Sequence, residues 1–214
     1  MGSNDDSGVP RWAVVSAALA PVAMIGSWTI SAAMQDEYDP VRETISWLAT
    51  SAAVAPAVGA FGFAVTGIAH VVTAAGLRAA PRMGRVLLGV GGLATVGVAL
   101  APADRAPRAH WAAATVALMS MATWPLAAWG ADGVGTLAPR AGLAATAGLM
   151  GMLAWFTLEL QHVTPDDGAT TGLAERAALC AQALWPLVVV VAARTSATSG
   201  TAPTGRSRSW WSWW

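Results

Sequence analysis

At 214 residues, with 55% hydrophobic and only 11% charged residues, the chain departs from soluble domains, in which about 25% of residues are charged. Twelve arginines balance twelve acids with no lysine present, so the formal net charge is zero and no basic face exists to neutralise phosphates, which argues against nucleic-acid binding. Burial in lipid accounts for the composition, and the single cysteine, Cys180, excludes an intramolecular disulfide.

Residues 1–11 read as a polar tail carrying Asp5 and Asp6. A first helix over Trp12 to Met34 follows, longer than the core of about 7–15 residues in a secretory leader, and so reads as a retained span. The polar connection Tyr38-Asp39-Pro40-Val41-Arg42-Glu43-Thr44-Ile45-Ser46-Trp47-Leu48-Ala49 comes next. Asp39 as N-cap and Pro40 at the first helical position predict a short helix there. Val41, Ile45 and Leu48 fall on one face of it and Arg42, Glu43, Ser46 and Thr50 largely on the other, the pattern of a helix lying at the membrane surface.

Helix 2 is predicted from Pro56 to Leu77, followed by a tight basic turn with Arg78, Pro81, Arg82 and Arg85. Helix 3 covers Met83 to Ala101, and prolines and charges break the pattern at 102–108. Helix 4 runs from His110 to Trp129, with a turn at Gly130-Ala131-Asp132-Gly133, and helix 5 from Arg140 to Leu160. A loop over Gln161 to Thr171 carries the turn signal Pro165-Asp166-Asp167-Gly168, and helix 6 spans Gly172 to Ala193. Residues 194–214 form a Ser/Thr/Gly-rich tail ending in two arginines and four tryptophans, a composition suited to an interfacial anchor.

Each apolar run approaches the roughly 20 residues needed to cross the hydrocarbon core, and none alternates as a barrel strand would. The fold class expected is therefore an all-α membrane protein: a six-transmembrane-helix bundle over 12–193, with a short interfacial helix between helices 1 and 2. With an even number of spans both termini share a side. Placing them in the cytoplasm puts eight arginines inside (Arg11, Arg78, Arg82, Arg85, Arg140, Arg194, Arg206 and Arg208) against four outside, as the positive-inside rule favours. Small residues at Gly59 and Gly62, Gly89 to Gly92, and Gly148 and Gly151 predict close helix contacts, and Pro125 and Pro186 each follow a tryptophan inside a helix.

The outer connections and helix ends gather the polar chemistry. Asp39, Arg42, Glu43, Ser46 and Arg176 form the candidate ligand-binding set; His110, His162, Glu159 and Asp104 form a candidate acid/base or catalytic set, since imidazole and carboxylate suit general catalysis. No H-E-x-x-H or similar spacing assigns a metal site, and no cofactor is implied. Ion pairing among Glu159, Arg176, Glu43 and Arg42, closing the top of the bundle, is the plain alternative to a site. His70, beside Thr66 and Thr73 on one face of helix 2, reads as an inter-helix hydrogen-bonding group. No acid lies at the middle of a span, which weakens a cation-coupled transporter.

The Tyr38 to Leu48 segment, the Pro-Ala-Asp stretch before His110 and Gly172-Leu173-Ala174-Glu175-Arg176 together resemble the bacterial integral membrane proteins grouped as domain of unknown function 998. The resemblance implies a multi-helix bundle without an assigned reaction, and draws attention to Ser46, Asp104, His110, Glu175 and Arg176. The expectation carried forward is a multi-pass protein of the bacterial inner membrane, non-enzymatic, whose outer cap binds a lipid headgroup, a small solute or a partner subunit. Membrane lipids, a membrane-protein partner or a second copy are the partners considered. An outer-face hydrolase or transferase and a small transporter are the alternatives.

Overall fold

The computed structural model describes residues 9–129, 135–165 and 168–198. Asp5, Asp6, the turn at 130–133, Asp166, Asp167 and the tryptophan-rich end of the tail lie outside the described residues. Among the described residues there are six long helices: α1 (Arg11–Ala33), α2 (Pro56–Gly76), α3 (Arg82–Leu100), α4 (Pro107–Ala127), α5 (Pro139–Leu160) and α6 (Thr171–Thr198). Two 3-10 helices, Ile45–Ala49 and Gly135–Leu137, lie in connections, and no strand occurs among the described residues.

Proline sets several of these boundaries. Pro56, Pro107 and Pro139 occupy the first turns of α2, α4 and α5, where the missing N–H is one of the orphan donors in any case. That is why α4 begins at Pro107, three residues before the predicted His110. Pro21, Pro125 and Pro186 are carried inside α1, α4 and α6, which continue through them, and α6 runs on to Thr198 beyond the predicted Ala193.

Five helices, α1, α2, α3, α5 and α6, are long and apolar enough to cross a membrane, and the protein is an all-α integral membrane protein. α4 matches them in length, but Arg108, His110, Ser120, Thr123 and Pro125 dilute its apolar surface below theirs. Large apolar side chains such as Val15, Val22, Phe61, Ile68, Leu93, Leu143 and Leu158 point outward from the bundle, the arrangement of helices bathed in lipid.

The helices pack in chain order, and α6 closes the ring against α1. Arg194 fastens that seam by donating to the Val9 carbonyl at 3.1 Å. Contacts are densest along α1–α2–α3–α4 and thinner on both sides of α5, which also buries the smallest share of its surface among the five apolar helices. Packing density decides helix association in lipid, where burying apolar surface drives nothing.

The tightest crossing is between α2 and α3. A side chain on Gly92 would place its Cβ 2.6 Å from the Gly67 carbonyl oxygen, and one on Gly67 would strike the Gly92 carbonyl, so the two backbones touch. Gly148 and Gly151 on α5 differ from the expectation of close contact, since nothing lies within 4 Å of the positions their Cβ atoms would take.

At the end bearing the termini, the core is built from Val9, Leu77, Leu88, Trp124, Val189 and Val190. At the other end Met24, Trp28, Ile45, Leu48, Phe63 and Val98 pack beneath the α1–α2 connection. A small third cluster of Leu149, Leu153 and Phe156 with Ala122 and Ala174 is what holds α5 to α4 and α6.

Candidate functional site

The α1–α2 connection folds back over the start of α6. Its helix begins later than Asp39: the Asp39 carboxylate instead accepts from the Val41 N–H at 2.9 Å, holding a turn in which the Glu43 N–H reaches the Asp39 carbonyl. Thr44 is the cap of the 3-10 helix that follows, its hydroxyl oxygen accepting from the Trp47 N–H at 3.3 Å. Ile45 and Leu48 are buried, whereas Val41, expected on the same face, is exposed, because the turn separates it from them.

Arg176 anchors this lid. Its Nη1 donates to the carbonyls of Pro40 (2.7 Å), Glu43 (3.0 Å) and Gly172 (3.0 Å), and its Nη2 donates to the Tyr38 hydroxyl. That hydroxyl donates onward to the Glu43 and Thr44 carbonyls, both 3.0 Å away, and the Tyr38 ring stacks on Trp47 with centroids 5.5 Å apart. Burial pushes the Tyr38 hydroxyl above its ordinary titration range, with the Arg176 guanidinium pulling the other way. Gly172 is required where the lid crosses α6, since a Cβ there would lie 2.8 Å from the Pro40 carbonyl oxygen and closer still to that of Glu43.

Glu175, next along α6, is buried beneath the lid. One carboxyl oxygen accepts from the Ile45 N–H and the other from the Ser46 hydroxyl at 3.3 Å. The first bond caps the 3-10 helix from below, so a side chain of α6 fixes the lid's backbone.

The remaining carboxylates secure other loops at this end. Asp104 accepts from both the amide (3.1 Å) and the hydroxyl of Ser51, and these two bonds hold its carboxyl below the usual range. Glu159 is buried and accepts from the Thr164 hydroxyl and the Thr170 N–H, both at 2.8 Å, tying the α5–α6 loop to α5. Glu43 accepts from the Asp39 N–H at 2.7 Å. Arg42 and Asp39 form an ion pair at 3.6 Å, half exposed and of small energetic weight. Hydrogen bonds from backbone N–H and hydroxyl groups to carboxylates, and from Arg176 to backbone carbonyls and the Tyr38 hydroxyl, therefore close this end of the bundle.

His110 is buried, and its Nδ1 lies 2.9 Å from the Ala101 carbonyl. A carbonyl has no proton to give, so Nδ1 is the donor and Nε2 is the acceptor of the neutral ring. His162 sits apart, exposed in the connection after α5 with φ 54°. The acid/base set thus divides: His110 is in the wall of a cavity, Asp104 and Glu159 hold loops, and His162 is in a loop itself. No group of three or more His, Cys, Asp or Glu side chains that could hold a metal occurs among the described residues.

The cavity has a volume of about 890 Å³ and lies between α4 and α5, roofed by the lid. Leu118, Met119, Met150, Leu153, Phe156 and Leu158 give it apolar walls. Polar groups from Glu175, Ser46, Thr44, Thr50, His110 and Gln161 gather where the lid meets it. Trp111, Met119 and Leu158 line it and are also exposed on the outside of the bundle, so it opens through the α4–α5 seam. Of the five predicted ligand-binding residues, Ser46 lines it. Glu175, to which the family resemblance draws attention, lines it too.

His70, in α2, is buried with no partner for Nδ1. Thr66 donates to the Ala20 carbonyl at 3.2 Å and Thr73 shares a 2.9 Å bond with Ser16, so the hydrogen bonds from α2 to α1 come from the threonines beside it.

Residues 18–192 match the family described as Protein of unknown function (DUF998). No curated protein and no solved structure matches the chain.

Proposed function

We propose, for a chain that belongs to the DUF998 family, that it is a non-enzymatic six-span bundle of a bacterial plasma membrane which binds an amphiphilic molecule in the α4–α5 cavity. α4 is the sixth span: His110 and Thr115 line the cavity and Ser120 packs against Gly91 of α3, so these polar side chains meet protein instead of lipid. Both termini are cytoplasmic, the lid is on the outer face, and its 3-10 helix lies at the interface with Trp47 near the headgroups. The observation that carries this reading is a cavity of about 890 Å³ that is apolar along its length and polar at one end. That size lies within the roughly 300–1,000 Å³ of pockets that hold small ligands, and the polarity gradient is that of an amphiphile.

Native mass spectrometry of protein released from phosphatidylcholine nanodiscs tests it. Retention of single-chain amphiphiles by the natural protein, lost in Ala154→Trp, is the expected result, because Ala154 lines the cavity and is exposed enough to take a large side chain. Equal retention by both proteins would place the ligands elsewhere. The hydrolase reading draws on His110 alone among its four residues for a group at the cavity, and the transporter reading on His70, so both have less support.

A further inference from the structure

Resting on the amphiphile-binding reading, the geometry points to a specific head chemistry: the ligand carries a non-anionic, hydrogen-bond-donating head, an amine or a hydroxyl, and not a phosphate or carboxylate. The polar end of the cavity presents the Glu175 carboxyl and the His110 ring as acceptors, beside the indole N–H groups of Trp47 and Trp111. Both Glu175 oxygens accept bonds from the lid, so the carboxyl group presents acceptor lone pairs to the space beside it. His110 commits its Nδ1 proton to the Ala101 carbonyl, which leaves the Nε2 lone pair.

The hydroxyls repeat the pattern. Thr50 donates its proton to the Trp47 carbonyl and Thr157 to the Leu153 carbonyl, each at 2.8 Å, so both offer oxygen lone pairs. Ser46 donates to Glu175. The Gln161 amide brings both donors and an acceptor, and the Thr44 hydroxyl, which accepts from the Trp47 N–H, can also donate.

The cation that would recognise a phosphate is turned elsewhere. Arg176 directs its donors to the Pro40, Glu43 and Gly172 carbonyls and to Tyr38, and no arginine lines the cavity among the described residues. An anionic head would therefore meet the Glu175 carboxyl without a counter-charge, in an apolar setting where unpaired charge is most costly. An ammonium or hydroxyl head would complete the lone pairs of Glu175 and His110.

Three probes with one chain length test this in phosphatidylcholine nanodiscs by native mass spectrometry or competition binding: dodecylamine, monododecyl glycerol and dodecyl phosphate. The natural protein is expected to bind the first two at least tenfold more tightly than the third, about 1.4 kcal/mol. Glu175→Gln keeps the acceptor for Ile45 and should weaken dodecylamine roughly tenfold while leaving monododecyl glycerol within about twofold. His110→Gln, which touches none of the lid's own hydrogen bonds, supplies a second variant and should weaken both donors.

Dodecyl phosphate binding as tightly as dodecylamine, with Ala154→Trp abolishing both, would overturn the head-group inference and leave the cavity reading intact. Dodecylamine affinity unchanged in Glu175→Gln would also overturn it. Failure of all three probes to bind would instead overturn the cavity reading on which it rests.

Discussion

Arg176 grips Tyr38 twice: its Nη2 donates to the phenol oxygen at 2.5 Å, and its guanidinium carbon lies 5.5 Å from the centroid of the same ring. A side chain of α6 is thereby coupled to the first residue of the lid, 138 positions earlier in the chain. Arg176→Ala removes all of these bonds and should cost about 2–4 kcal/mol. Arg176→Lys should recover only part, because an ammonium cannot reproduce the planar fork. Thermal unfolding in nanodiscs, with hydrogen exchange of residues 38–50 as the local readout, checks both. Protection of that segment unchanged in Arg176→Ala would refute the anchoring role.

Tyr38 is the one tyrosine in the chain, so tyrosinate absorbance reports it alone. Its folded pKa is raised by burial, so the stability it contributes is fully present below the unfolded value of about 10 and is lost as pH rises through the folded value. The lid should therefore loosen in alkali, with the absorbance midpoint above 10. Tyr38→Phe should abolish that transition at a cost of about 1–2 kcal/mol, since it keeps the ring stacked on Trp47 and loses the hydroxyl's bonds.

At the acid end the sign reverses. The Asp104 carboxyl is held low by the Ser51 hydroxyl and amide, so its contribution is present above the unfolded value of about 3.9 and disappears as pH falls through the folded value. Exchange protection of the lid's Ser51 end should fall in strongly acidic buffer. Asp104→Asn should show the loosened state already at neutral pH and a flatter acid response; an identical acid response in both proteins would remove Asp104 as its source.

The α2–α3 crossing allows no side chain at Gly67 or Gly92. Gly67→Leu should destabilise by about 1–3 kcal/mol or prevent folding, because the obstruction is backbone and cannot rotate away. Gly148→Leu on α5 should be tolerated, given the open space there. Paired thermal melts of the two variants check the contrast, and similar losses in both would contradict it.

Sidedness is testable in a Cys180→Ala background. Cysteine at position 39 should react with an impermeant reagent from outside intact cells, and cysteine at position 82 should not. The reverse pattern would invert the orientation set by the arginine distribution.

Helix existence was legible because length and apolarity suffice to specify it in lipid, and the prolines marked the starts within a few residues. The lid's local structure was less so. Asp39-Pro40 carries the cap signature, yet Thr44 caps the helix, since residues 39–43 bend into a turn that offers the Pro40 and Glu43 carbonyls to Arg176. Glu175 looked like one of several charges at a helix mouth; only the folding of the lid over it turns an interfacial acid into a buried one. A cavity between two helices leaves no trace in either helix's own periodicity, and the small residues Gly148 and Gly151 suggested dense packing on the helix that packs least.

On the proposed amphiphile-binding reading, that thin packing of α5 would decide which phase feeds the cavity. A compound entering through the α4–α5 seam would arrive sideways from the acyl chains, already partitioned and oriented by the bilayer, with its head drawn toward the lid. Its occupancy would then be governed by its mole fraction among the surrounding lipids, so a weak intrinsic affinity would suffice for a scarce but strongly partitioning molecule, with bulk lipid the standing competitor against which selectivity operates.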